Sequence, residues 1–368
     1  MIHVKLLDVI LLALGSWFVR RIIVQRRKAP LPPGPQGWPL IGNFMSLPRN
    51  RRWETFAEWE MKWGSIIHIS AFGKHLIVVN NGKTAVEMLN KKSNIYSDRP
   101  AFVMVGELVG WNNSITLSPY GDRLRKSRAM VQRVIGSRVD VKEYHSYIEA
   151  EATSGAIILR ISYGYCTLED DDPLVNLADV TITQFSEAGE VGKWLVDITP
   201  AMKYIPAWFP GAAFKKNAAQ WKKNVIEMVT RPYDLVKYRM ADNTALPSFT
   251  SNLLEGREVT PEQEDLIKWA AVSLYGGGAD TVVSAMSTFF LAMTLYPEVQ
   301  QRAQLEIDSV VGNDRLPTLD DHLPYVEAIV SEVLRWGTVV PLGIRTFLTS
   351  EDGASNPIGR RCTSVDAR

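Results

Sequence analysis

The sequence predicts a mainly α-helical chain with a small β part, and three observations carry this. Hydrophobic residues make up 46% of its 368 residues, a share that supports a large core and excludes a disordered chain. Long segments in the second half repeat their apolar residues at helical spacing. A β-branched pair of short segments precedes them, and no internal repeat or low-complexity tract interrupts the pattern.

Composition also removes several function classes. Lys plus Arg is 41 and Asp plus Glu is 40, a net charge of +1, so the basic footprint of a nucleic-acid binder is missing. Two cysteines, Cys166 and Cys362, exclude a disulfide framework and suit a cytosol-facing protein. The histidines are scattered, with no His-x-x-x-His pair, which leaves a zinc hydrolase without ligands.

The first element is apolar. Leu6 to Val19, continued by Ile22-Ile23-Val24, approaches the about 17 to 20 residues of a spanning helix. Arg20 and Arg21 can snorkel, Trp17 suits an interfacial belt, and the basic run Arg26-Arg27-Lys28 places the following chain in the cytoplasm. No small-residue cleavage site follows, as a signal peptide requires. Residues 1–25 are therefore expected to be a retained membrane anchor in contact with lipid. Residues 26–36 are expected to be a hinge stiffened by Pro30, Pro32, Pro33 and Pro35.

A hairpin comes next, from Ile66 to Ser70 and from Leu76 to Val79 around Phe72-Gly73-Lys74. Helical spacing resumes after Asn81 and predicts helices over 119–133, 154–163, 174–190, 218–240, 261–296, 298–311 and 324–336. The 261–296 helix has clear punctuation. Thr260 and Gln263 form a capping box, Pro261 suits the first position, Glu262, Glu264 and Asp265 complement the dipole, and Pro297 stops the helix.

Its middle breaks the local rules. Gly276-Gly277-Gly278 lowers helix stability by about 1 kcal/mol per glycine relative to alanine, and such violations are expected at functional sites. A flat cofactor pressed against the helix explains the missing side chains; close helix packing explains them as well. Asp280 and Thr281 favour the first reading, because a carboxylate beside a hydroxyl in an apolar helix is costly unless paired or hydrated. Fifty-one residues after Thr281, Glu332 and Arg335 stand three apart on an amphipathic helix and can pair.

In this order and spacing the motifs resemble those of the cytochrome P450 family, in the style of a fungal microsomal member. Gly277-Gly278-Ala279-Asp280-Thr281 is similar to the family's oxygen-activating turn, and Glu332-Val333-Leu334-Arg335 to its Glu-x-x-Arg helix. Tyr120 to Arg128 resembles the helix whose Trp-x-x-x-Arg contacts haem propionates, with Arg128 in place and Leu124 where the tryptophan stands. Pro32-Pro33-Gly34-Pro35 resembles the family's hinge. Ser97-Asp98-Arg99-Pro100 is also similar, and is read as carrying no chemistry.

The resemblance implies a P450-like fold over 37–343 and a haem-dependent monooxygenase oxidising a lipophilic small molecule, in secondary metabolism or xenobiotic oxidation. It implies electrons from an NADPH-dependent reductase and a single-pass location in the endoplasmic reticulum membrane. Asp280 and Thr281 would handle protons and dioxygen, Gly277 and Gly278 would face the haem, and Arg128 would hold a propionate. Glu332 and Arg335 would hold the fold, and residues 101–119 would cover substrate.

Three departures from the family pattern set further expectations. A helix is expected to be skipped near 153/154. Residues 344–368 form a divergent tail in which Thr346 takes an arginine position, so the fold is expected to be incomplete at its C-terminus. In Gly359-Arg360-Arg361-Cys362 the cysteine arrives one residue early relative to the haem loop, so Cys362, the candidate metal ligand, is expected not to act as axial thiolate. Cys166 is read as a small core residue. The alternative to the enzyme is an inactive, truncated, membrane-tethered relic.

Overall fold

The structure is a computed structural model. It describes residues 31–343 except 40, 49–50, 138–141, 146–147, 149–153, 169–170 and 191, together with 346 and the backbone of 362–367. The expected anchor, the first part of the hinge and the junction at 153 lie outside the described residues.

Helix α1 (Arg52–Trp63) leads into the hairpin of β1 (Ile66–Ala71) and β2 (Lys74–Val79). Its turn is Phe72 and Gly73, with φ of 49° and 76°, the two positive values of a turn whose twist matches the flanking strands. Lys74 therefore belongs to β2 and not to the turn. Ile67, Ile69 and Val78 bury one face against Phe56 of α1, which sets the register. A further strand, β3 (Cys362–Ala367), runs parallel to β2 with Cys362 opposite His75.

The helical body contains α2 (Asp122–Ile135), α3 (Ser154–Tyr163), α4 (Pro173–Ala188), α5 (Ala213–Ala241), α6 (Phe249–Leu254), α7 (Pro261–Leu295), α8 (Pro297–Val310) and α9 (Pro324–Trp336). Helix α7 is 35 residues long. Its start is held as the sequence predicts: Thr260 Oγ1 accepts from Gln263 N at 3.3 Å, and Gln263 Oε1 accepts from Thr260 N at 3.0 Å.

Helix α7 is also the core of the domain. Its N-terminal half buries Leu266, Ile267, Trp269, Ala270, Ala271, Val272 and Tyr275 among α2, α3, α5 and α6. Arg123 pairs with Asp265 at 2.8 Å and Lys126 with Glu262 at 3.5 Å, tying α2 alongside. Farther along, Ala292 and Met293 pack on Ile329 and Val333 of α9, while Phe290 and Leu295 on the other side are exposed. Among the described residues α7 is long and apolar enough to cross a membrane, with 17% of its most apolar stretch buried, and its first half packs among the neighbouring helices.

Residues 101–119, expected to be a loop, are more ordered than that. Val103–Leu108 forms a π-helical turn with Val103, Met104 and Val105 buried. The Asp197 carboxylate accepts from Val103 N at 2.8 Å and Met104 N at 2.9 Å, satisfying donors that a local N-cap would otherwise take. No local signal announces a cap supplied by a residue so distant in the chain.

Asp172 does the same work locally for α4. It accepts from Leu174 N, Val175 N and Leu168 N and from the Tyr165 hydroxyl, at 2.8 to 3.1 Å. Burial works to raise its pKa, but these four bonds outweigh it and hold the carboxyl below its ordinary value. The Asp172→Ala variant is expected to lose about 2–3 kcal/mol of stability, from the cap and the orphaned donors, measured by urea denaturation at pH 7. Because the folded pKa is depressed, this stabilisation is complete above the unfolded value of about 4 and fades as pH falls through the folded one. The gap between parent and variant should therefore narrow in acid.

Gly278 marks the crossing of α3 over α7. A Cβ there would lie 2.6 Å from Ile158 Cδ1 and Cγ1, well inside contact distance. Gly278→Val is expected to destabilise by about 1–3 kcal/mol through overpacking. Adding Ile158→Ala should recover part of that loss, and strict additivity of the two changes would show that the contact is unimportant.

Candidate functional site

The central turn of α7 has two different glycine faces. A Cβ at Gly276 or Gly277 would meet nothing within 4 Å, whereas Gly278 is directed at Ile158. The sequence reading assigned Gly277 and Gly278 together to a cofactor face. The structure instead places Gly276 and Gly277 on the open side and uses Gly278 for helix packing.

Thr281 stands one turn beyond Gly277, and its Oγ1 donates to the Gly277 carbonyl at 2.7 Å. That commits the hydroxyl hydrogen to the helix and leaves the oxygen's lone pairs to accept from a group on the open face. Asp280 follows Gly277 by three residues and is exposed, as Thr281 is. Gly277, Asp280 and Thr281 are thus brought together by the helix itself.

Residues 97–100 are held against the segment before α2 through Asp98. Its Oδ1 accepts from Arg99 N at 2.9 Å and from Tyr120 N at 2.8 Å, fastening the segment to the start of α2. Arg99 then comes near Arg128 of α2. Burial first, and the Arg128 cation second, lower the pKa of the Arg99 guanidinium against the opposing pull of Asp98. Two neighbouring guanidiniums form an electropositive place suited to carboxylates. Ser97-Asp98-Arg99-Pro100 is thus tied to the start of α2, and Arg99 Nε also donates to the Thr116 carbonyl at 3.0 Å. The signal was available as a lone arginine before proline, but only the fold shows its neighbour.

An open backbone face on α7 and, separately, two neighbouring arginines are features that a flat, dianionic macrocycle would require. Neither cysteine is brought to the Gly276–Thr281 face by a contact among the described residues. Cys166 is exposed, not in the core as expected, and accepts a hydrogen bond from Arg160. Cys362 opens β3, opposite His75 by backbone register.

Glu332 and Arg335 form the expected pair, with Arg335 Nε on Oε2 at 2.7 Å and Nη2 on Oε1 at 2.5 Å. Hydrogen bonding to Arg335 lowers the Glu332 pKa. Both residues are exposed, and an isolated exposed pair contributes little to stability.

Two further residues escaped the sequence reading. Ser273 Oγ accepts from Ile115 N at 3.0 Å, laying the 101–119 segment along α7 one turn before the glycines. Asp179 of α4 lies close enough to Asp280 that its carboxyl pKa is raised, by burial first and by the Asp280 charge second. Neither contact leaves a local trace in the sequence.

Comparison with known proteins gives this geometry a family. The model of the family described as "Cytochrome P450" matches residues 32–156 and 153–352, two pieces that meet where a skipped helix is expected. The chain is 47% identical over 341 residues to cytochrome P450 monooxygenase 208 of Postia placenta, covering 87% of this chain and 66% of the relative. It is 45% identical over 362 residues to cytochrome P450 monooxygenase claR of Ampulloclitocybe clavipes, covering 92% and 66%. With cytochrome P450 monooxygenase ppsD of Aspergillus oryzae it shares 37% over 349 residues, covering 88% and 66%. The chain thus spans about two thirds of the length of the curated relatives it matches. A match that runs through the whole helical body at this identity accounts for the open turn of α7: the chain belongs to the cytochrome P450 family.

Proposed function

We propose that this chain carries residues of a haem-dependent monooxygenase site that inserts one oxygen atom into a lipophilic small molecule. The observation that carries the reading is the open Gly276–Gly277 face beside Thr281 and Asp280 on the central helix. Relatives named as monooxygenases support it, and the comparisons lend no support to an inactive relic. Membrane anchoring through residues 1–25 and electron supply by an NADPH-dependent reductase belong to the same reading.

Haem, when bound, supplies redox chemistry and activates dioxygen. The chain's residues have separate tasks. Gly276 and Gly277 would let a flat macrocycle approach the helix backbone, and Arg99 and Arg128 would hold its carboxylates. Thr281 Oγ1, with its hydrogen on the Gly277 carbonyl, offers an acceptor to a protonated group on the open face. Asp280, exposed beside Thr281, would help relay protons to that group. Residues 103–118 bury apolar side chains along α7 and keep water from the substrate.

Binding of haem by the expressed chain, read as the appearance of a Soret band, is the expected result. A chain that develops no such band does not hold the cofactor, and the monooxygenase reading fails for it. Gly277→Ala separates cofactor binding from folding: the haem-free variant should gain about 1 kcal/mol in urea denaturation from helix propensity, yet retain haem more weakly. Equal haem affinity in parent and variant would place the macrocycle elsewhere. Arg99→Leu and Arg128→Leu should each weaken haem retention on the order of tenfold, the scale of one charge-assisted hydrogen bond, as followed by transfer of haem to apomyoglobin.

A further inference from the structure

The β1–β2 hairpin brings two imidazoles together. His68 of β1 lies opposite Ile77 and His75 of β2 lies opposite Ser70, so the two histidines are diagonal neighbours on one face of the pair. On that same face Ile66, Ile77 and Val79 belong to an apolar cluster with Met88 and Tyr96. The imidazoles mark where the face turns polar. His68 Nε2 and His75 Nδ1 stand 2.7 Å apart, with ring centroids 5.0 Å apart and planes inclined by 30°. Both residues are half-buried, and so within reach of a dissolved ion.

A single proton can lie between those two nitrogens, so one ring presents a lone pair to the other. Protonating His68 as well would set two cations face to face. Burial first, and the His75 charge second, push the His68 pKa down to about 4. Near neutral pH His68 is therefore a neutral base, the form in which histidine ligates a metal. Its backbone is also held in place. His68 N donates to the Pro33 carbonyl at 2.9 Å, away from β2, and a Cβ at Gly34 would collide with the His68 carbonyl. With β2 on one edge and residues 33–34 on the other, the imidazole is left to move by side-chain torsion.

A metal–imidazole bond is about 2.0 Å long. Two imidazole nitrogens at adjacent corners of a square-planar ion then stand about 2.8 Å apart, against about 3.3 Å for two on a tetrahedral ion. The observed 2.7 Å is close to the first value. Rotation within the broad χ2 wells of the two histidines turns their lone pairs from each other onto a shared ion. We propose that His68 and His75 form a binding site for a divalent transition-metal ion of tetragonal preference, Cu2+ or Ni2+, that bridges β1 and β2. The proton between the rings moves, through solvent, to the far nitrogen of the ring that carried it, and both ligands stay neutral. Among the described residues no group of three or more His, Cys, Asp or Glu side chains could hold a metal. Water therefore completes the coordination, and the ion exchanges with solution. The site is independent of the monooxygenase reading.

The test uses Ni2+ alone, which does not oxidise thiols. The full chain carries His3→Ala, because an amino terminus with histidine third in the chain is itself a nickel chelate. Equilibrium dialysis at neutral pH is expected to show about one saturable equivalent, weakened at least about tenfold by His68→Gln and likewise by His75→Gln. The thermal midpoint, followed by circular dichroism, reports folding alongside binding. Ni2+ should raise it in the parent and leave it unmoved in both variants. Each histidine is replaced separately, so a variant that does not fold leaves the other to decide. No saturable equivalent on the folded parent overturns the site, and so does binding that survives unweakened in a folded variant, which marks the ion as adventitious.

Discussion

A long helix that is apolar on nearly every side must be wrapped by other elements, and this requirement of α7 organises the molecule. Helices α2, α3, α5 and α6 surround its first half, and α9 covers one side of its second. The ion pairs from Arg123 and Lys126 to Asp265 and Glu262 fix how α2 lies along it. Because the N-terminus is capped by Thr260 and Gln263, the position of every later residue on the helix is set relative to those neighbours. The glycine turn therefore faces the same surroundings in every folded molecule.

At that turn the helix uses one glycine for packing and leaves its neighbours open. Gly278 admits Ile158 of α3, so α3 can cross closely. Gly276 and Gly277, rotated to other directions, leave backbone uncovered, and the Thr281 hydroxyl is turned onto the Gly277 carbonyl. The helical rotation of about 100° per residue is enough to separate these tasks. Arg99 and Arg128 depend on a different device: Asp98 binds the segment before α2 through Tyr120 N and so brings Arg99 near Arg128.

Much of this was legible in the sequence. The hairpin, the start of α7 and the helices α3, α4, α8 and α9 fall close to their predicted places because their signals are local: β-branched runs, capping residues and apolar periodicity. Glu332 and Arg335 pair as their spacing suggests. The turn at Val103–Leu108 was not legible, since its cap, Asp197, is remote in the chain. Helix α1 was missed because three tryptophans, Trp53, Trp59 and Trp63, blur its apolar stripe. Helix α6 was missed because six residues are too few to show a period.

By itself the sequence determined the class of fold, the identity of the central helix and the residue types at its functional turn. Those follow from periodicity, capping and a run of glycines that helix propensity disfavours. Only the tertiary structure decided which glycine is open and which is packed, which arginine lies near Arg128, and which side chain of α7 accepts from Ile115 N. Each of these depends on the direction from which a second element approaches, and that direction is set by packing between segments far apart in the chain.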